Sequence, residues 1–258
     1  MSPTEIARKD VVYAAPGMDA VTVRRDGSMD VYYPPGATSE RFPAVMIVAG
    51  YPDAGFQKMA GCSFRDMQSS ISWGRLIAAS GMVAITYSNH EPAEDLHALI
   101  EHVRSNAPAL AIDENRIGIW ASSGNVPLAL SLLMRPAGAY IKCAAFCYGL
   151  TLDLDGQTGV ADAAKMFRFV NASAGKSIDD LANDIPMFIA RAGADEVPRL
   201  NETLDRFVAA ALSRDLPVTV VNHPGAPHAF DLFHDSETTR EIIRRILAFL
   251  IEALNVRR

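Results

Sequence analysis

Short apolar runs alternate with longer amphipathic stretches along most of this chain, and that alternation narrows the possible folds more than any other feature. Ala44-Val-Met-Ile-Val48, Met82-Val-Ala-Ile-Thr-Tyr87, Ile117-Gly-Ile-Trp120, Ile141-Lys-Cys-Ala-Ala-Phe-Cys147, Pro186-Met-Phe-Ile-Ala190 and Val218-Thr-Val-Val221 all have strand length. An unbroken apolar run such as 44–48 suits a central strand covered on both faces. Between the runs lie helical patterns at 67–80, 93–106, 200–214 and 238–255. Leu96, Leu99, Ile100 and Val103 fall on one helical face, and Ile242, Ile243, Ile246, Leu247, Leu250 and Ile251 fall on another. Strands alternating with helices in this way predict an α/β fold with a mostly parallel sheet and helices on both faces. A hairpin precedes it, because 21–25 and 29–33 flank Asp26-Gly27-Ser28. The length suits one α/β domain, residues 1–258. Residues 151–185 break the rhythm and predict a small cap insertion, with Met166, Phe167 and Phe169 as an apolar wall.

Composition excludes several classes. Hydrophobic residues make up 49% of the chain, enough for a large core without disulfides. The net charge of -6 argues against a nucleic-acid partner, which needs a basic face. Cys143 and Cys147, on one strand, stand ~13 Å apart at strand rise, too far for a disulfide. No Cys/His cluster has the spacing of a metal site. The first ten residues lack the apolar core of a signal peptide, and no run reaches the ~20 residues that span a bilayer. The expectation is a soluble, cytoplasmic protein, with a homodimer left open.

Ligands of such sheets bind outside the carboxyl ends of the strands. The residues just past those ends are Tyr51, His90, Ser123, Asp153, Asp195 and His228. Around Ser123 a strand runs into Ala121-Ser-Ser-Gly-Asn125 and then into an apolar helix, the order of a nucleophile elbow. Positions two before and two after the nucleophile are crowded. They hold Ala121 and Asn125 for Ser123, but Trp120 and Gly124 for Ser122, so Ser123 is the candidate. Asn125 departs from the G-x-S-x-G pattern. Pro127 falls in the first helical turn, where a missing N–H costs little. The alternative is a Ser-Ser-Gly linker that caps a helix. A serine hydroxyl needs a base, and the base needs an orienting acid. Asp195 and His228 follow in the order Ser, acid, His, each in a loop after a strand. Glu196 and, more remotely, Asp153 compete with Asp195.

Three stretches together resemble the α/β-hydrolase superfamily, and within it the dienelactone hydrolase-like branch. They are Ile112-Asp-Glu-Asn-Arg-Ile-Gly-Ile-Trp-Ala-Ser-Ser-Gly124, Arg191-Ala-Gly-Ala-Asp-Glu-Val-Pro198 and Gly225-Ala-Pro-His-Ala-Phe230. The resemblance covers roughly residues 20–255. It implies an eight-stranded sheet, no cofactor, and hydrolysis of esters or lactones of small molecules through an acyl-enzyme. Dienelactone hydrolases use a cysteine nucleophile; the matching position here is Ser123, which favours a carboxylesterase-like activity. Where the family often has His-Gly-X-Pro, this chain has Ala49-Gly50-Tyr51-Pro52. The implied oxyanion hole is then the backbone N–H groups of Tyr51 and Gly124. His90, Phe167 and Phe230 are candidates for lining the pocket. Two other readings stay open at this point: a peptidase, thioesterase or C–C hydrolase on the same scaffold, and a hydrolase-like protein that only binds a small ligand.

Overall fold

The computed structural model describes residues 2–37, 41–134 and 140–255. Met1 and residues 256–258, the ends of the expected 1–258 unit, lie outside them. The sheet has eight strands in the order β1-β2-β4-β3-β5-β6-β7-β8. β1 (Thr22–Asp26) and β2 (Met29–Tyr33) form the expected hairpin, closed where Asp26 pairs with Met29. Gly27 takes the positive φ that such a two-residue loop requires, 59°. β2 also runs antiparallel to β4 (Val83–Tyr87). All other pairings are parallel, through β3 (Phe42–Ile47), β5 (Ile112–Ser122), β6 (Ile141–Cys147), β7 (Met187–Ala192) and β8 (Val218–His223).

Consecutive strand residues face opposite sides of a sheet. Every residue of β4, and nearly every one of β3 and β6, is buried, so both faces of the central sheet are covered. Helices α3 (Gln68–Ala79) and α5 (Val126–Leu133) and the helix Glu237–Asn255 pack on β4, β5 and β6. β1 is the exposed edge, and Arg24 and Arg25 on it discourage pairing with another chain.

The strand order places the site. From β3 the chain goes to β4 on one side of β3, then crosses to β5 on its other side. The exits of β3 and β5 therefore lie side by side at a switch point, where a crevice opens. Ile47 pairs with Trp120, and the Val48 N–H donates to the Trp120 carbonyl at 2.9 Å. The Gly50-Tyr51 loop thus leaves the sheet next to Ser122 and Ser123.

Three elements differ from expectation. β5 starts at Ile112 and not Ile117, because its first residues are polar and held locally, with Arg116 bridging Asp113 at 2.7 Å. Past β3 and Pro52 the chain forms helix α2 (Asp53–Ala60), which is not among the helical patterns of the sequence. Its first residue is buried, and the Asp53 carboxylate accepts the N–H groups of Phe64 and Asn89, 11 and 36 residues away in sequence. Near the N-terminus, α1 (Pro3–Ala7) is held by a capping box between Ser2 and Glu5. The stretch between β6 and β7 carries α6 (Gly159–Phe167).

Candidate active site

Ser123 stands where β5 gives way to a 3₁₀ turn, Ser123–Asn125, that runs straight into α5. Its φ is 54°, a left-handed value that costs an L-residue energy and appears where the surrounding structure imposes it. The imposing parts are visible. α5 is buried at every position, so the helix cannot shift to relax the turn. A Cβ on Gly124 would meet the Tyr51 hydroxyl at 2.5 Å and the Phe169 ring at 2.6 Å. Crowding thus acts on the residue directly after Ser123 as well as on the flanking positions that the sequence pattern marks.

The Ser123 Oγ lies 2.9 Å from His228 Nε2. On the far side of the ring, His228 Nδ1 lies 2.7 Å from Asp195 Oδ2. The Asp195 side chain is fully enclosed, and its other oxygen accepts the Val197 N–H at 2.9 Å. Backbone contacts hold the two loops that carry these groups. After β7, the Gly193 N–H donates to the His223 carbonyl at 2.8 Å and the Ala194 N–H to the Ala226 carbonyl at 2.9 Å. The approach is so close that a Cβ on Gly193 would stand 2.4 Å from the Pro224 oxygen. The Tyr148 ring meets the His228 ring edge-on at 4.9 Å and limits its rotation.

The two competitors for the acid lie elsewhere. Glu196 is exposed at the cavity wall. Asp153 is engaged by the Val160 and Ala161 N–H groups at the start of α6.

Ser123 and His228 open into a cavity of about 420 Å³. Phe167 lines it, together with Met166 and Phe169. Phe230 does not. The chain turns at Ala229, with φ 53°, and drives Phe230 into the core against Tyr148 and His223. His90 is also not in the wall. It is exposed ahead of α4 (Pro92–Ser105), where its N–H is held by the Asp95 carboxylate. The Tyr51 backbone N–H has no acceptor among the described residues. Its phenol is packed between Gly124 and Phe169, and this enclosure pushes its ionisation above the usual range.

Several wall residues have no signal in the sequence. Trp73, on α3, meets Trp120 at 4.6 Å between ring centroids. Pro3 and Ile6 bring the N-terminal helix to the cavity. Asp231 lies at the wall yet is only 1% exposed. It accepts from the Tyr148 hydroxyl at 2.6 Å and the Trp73 indole N–H at 2.8 Å. Burial pushes its carboxyl pKa up, against the pull of those two donors. A carboxylate three residues past His228, in the apolar run Ala229-Phe-Asp-Leu-Phe233, was the available hint.

No protein-family model matches the chain, and no curated protein does. Solved structures do. A hyperthermophilic esterase from the archaeon Pyrobaculum calidifontis is similar with a TM-score of 0.68 at 18% identity, over 97% of this chain and 88% of that one. The esterase Est2 of Thermogutta terrifontis reaches a TM-score of 0.63 at 20% identity, over 96% of both chains. An esterase from Rhizomucor miehei reaches 0.66 at 15% identity, over 91% of this chain and 83% of that one. With the eight-stranded, mostly parallel sheet and the crevice beside its central strands, these likenesses establish that the chain has the α/β-hydrolase fold.

Proposed function

We propose that the protein is a serine hydrolase that cleaves carboxylic esters of small molecules through an acyl-enzyme. The observation that carries this reading is the run of hydrogen bonds Ser123–His228–Asp195, set at a left-handed turn and facing a mostly apolar cavity. Ser123 Oγ attacks the ester carbonyl carbon while His228 Nε2 takes its proton. Asp195 holds the Nδ1–H tautomer and stabilises the imidazolium. The carbonyl oxygen gains a negative charge, which the N–H groups of Tyr51 and Gly124 receive. Gly124 is in the first turn of a helix, where N–H groups have no partner within the helix. As the tetrahedral intermediate collapses, His228 gives its proton to the leaving alcohol. Water then repeats the sequence on the acyl-serine.

The cavity volume falls in the usual range for small-molecule sites. The helix α6 and the segment to Phe169 act as its cap, with α1 as the facing wall. The Thermogutta esterase, similar in fold, is known with propionate bound and phosphorylated by paraoxon. The branch reading, dienelactone hydrolase-like with serine for cysteine, rests on the three motif stretches. Among the described wall residues there is no Lys or Arg, which favours neutral esters over substrates that carry a carboxylate.

The test is a fluorophosphonate probe with the adduct mapped by mass spectrometry, beside hydrolysis of p-nitrophenyl esters. We expect the adduct on Ser123, and loss of both labelling and hydrolysis in a folded Ser123→Ala variant. Full ester hydrolysis in that variant would sink the proposal. Folded wild-type protein that takes no adduct favours a binding protein.

A further inference from the structure

We propose that Asn125 is a positioning residue that clamps the oxyanion loop to the nucleophile elbow. The inference rests on the serine-hydrolase reading and assigns a task to the residue at which this elbow departs from the G-x-S-x-G pattern.

Asn125 is 3% exposed, and both ends of its side-chain amide are used. Oδ1 accepts the Gly50 N–H at 2.7 Å, and Nδ2 donates to the Ser122 carbonyl at 3.0 Å. One donor and one acceptor on opposite ends fix which way the amide faces. Gly50 is pressed onto the elbow, since a Cβ there would lie 3.1 Å from both the Asn125 Cα and the Gly124 carbonyl oxygen. On its other side, the Gly50 carbonyl accepts the Val170 N–H at 2.8 Å.

These contacts matter for the next residue. The Gly50 carbonyl and the Tyr51 N–H belong to one planar trans peptide unit and point in opposite directions. Val170 therefore holds that unit by its carbonyl, and Asn125 holds the preceding unit by its N–H. Glycine has more backbone freedom than any other residue, and both of its torsions are restrained here. The Tyr51 N–H is left with one direction and no acceptor of its own among the described residues. A donor held in place before charge develops needs no reorganisation when the oxyanion forms, which is what makes such a donor effective. With glycine at 125, the Gly50 N–H would lose this partner, and the loop would be free to rotate its peptides.

The experiment compares an ester with its thionoester, in which sulfur replaces the carbonyl oxygen, on wild type, Asn125→Ala and Asn125→Gly. Sulfur is a poor hydrogen-bond acceptor, so the oxygen-to-sulfur rate ratio reads the oxyanion donors and not overall folding. We expect kcat for the ester to fall about 100-fold, the loss of one oxyanion donor, with KM little changed. The oxygen-to-sulfur ratio should fall toward the value for uncatalysed hydrolysis. Asn125→Asp keeps an acceptor for the Gly50 N–H, so it should recover the wild-type ratio even if its charge lowers kcat. Asn125→Gly carries the residue of the common pattern, so it serves if the alanine variant does not fold. An unchanged ratio in folded, active variants overturns the clamp, whatever happens to kcat. Wild-type protein that hydrolyses neither substrate and takes no phosphonate on Ser123 overturns the underlying hydrolase reading instead.

Discussion

Ser123 occupies a backbone conformation that glycine adopts without penalty, and the left-handed region costs an L-residue ~1–2 kcal/mol. Ser123→Gly should therefore unfold at a higher temperature than Ser123→Ala, by the equivalent of about 1 kcal/mol, although both lack the proposed nucleophile. Equal melting temperatures would remove the argument for strain at the elbow. A second expectation concerns charge. Glu196 stands exposed at the cavity wall, and no Lys or Arg is among the described residues that line it. An ester that carries a free carboxylate should therefore react with a kcat/KM about tenfold or more below that of its neutral analogue, as like charges oppose binding. Matched monoesters of a dicarboxylic acid and of a simple acid would measure this. That Ser123, Asp195 and His228 come within hydrogen-bond reach of one another was legible, because each follows a strand and their order along the chain carries information. Asp231 was not, because its donors Trp73 and Tyr148 are 158 and 83 residues away in sequence.

At the scale of elements, the site depends on the seam between the loops after β7 and β8. Gly193 is its tightest point, with no space for a methyl group against Pro224. Gly193→Ala should push the loops apart and separate Asp195 from His228. A displacement of this kind is expected to lower kcat/KM by about 100-fold, while the sheet stays intact. Kinetics beside circular dichroism would check both halves of that statement; unchanged kinetics would show that the seam yields. The strand-helix alternation made most elements legible, since periodicity and apolar runs report burial directly. It failed at α2 and at the start of β5. The polar side chains that hold those segments, Asp53 and Asp113, have no periodic signature, and Asp53 acts through partners that only the fold supplies.

For the whole molecule, stability carries a pH dependence from His223. This residue is 4% exposed, with Nε2 at 3.1 Å from the Thr239 hydroxyl and no partner for Nδ1 among the described residues. Burial first, and the nearby His234 second, hold its pKa below the ordinary 6.5. The unfolded chain thus binds a proton that the folded chain refuses. The contribution is fully present above pH 6.5 and is lost as pH falls from there through the depressed value. The melting temperature should drop between about pH 7 and about pH 5, and less steeply in His223→Asn. Identical slopes would place the effect elsewhere. The sheet was legible at this scale, whereas the cavity was not. Its walls come from α1, α2, α3, the elbow, the segment between β6 and β7 and the loops after β7 and β8, and such convergence has no local trace in a sequence.

The pairing of Trp73 with Trp120 has an optical consequence. The chain has two tryptophans, and both stand in the cavity wall with ring centroids 4.6 Å apart. Intrinsic indole emission therefore comes from this one place in the molecule. The unlabelled protein carries its own reporter of occupancy: an ester analogue that displaces water from the cavity should change the wavelength or intensity of that emission, and the titration would give its affinity without turnover.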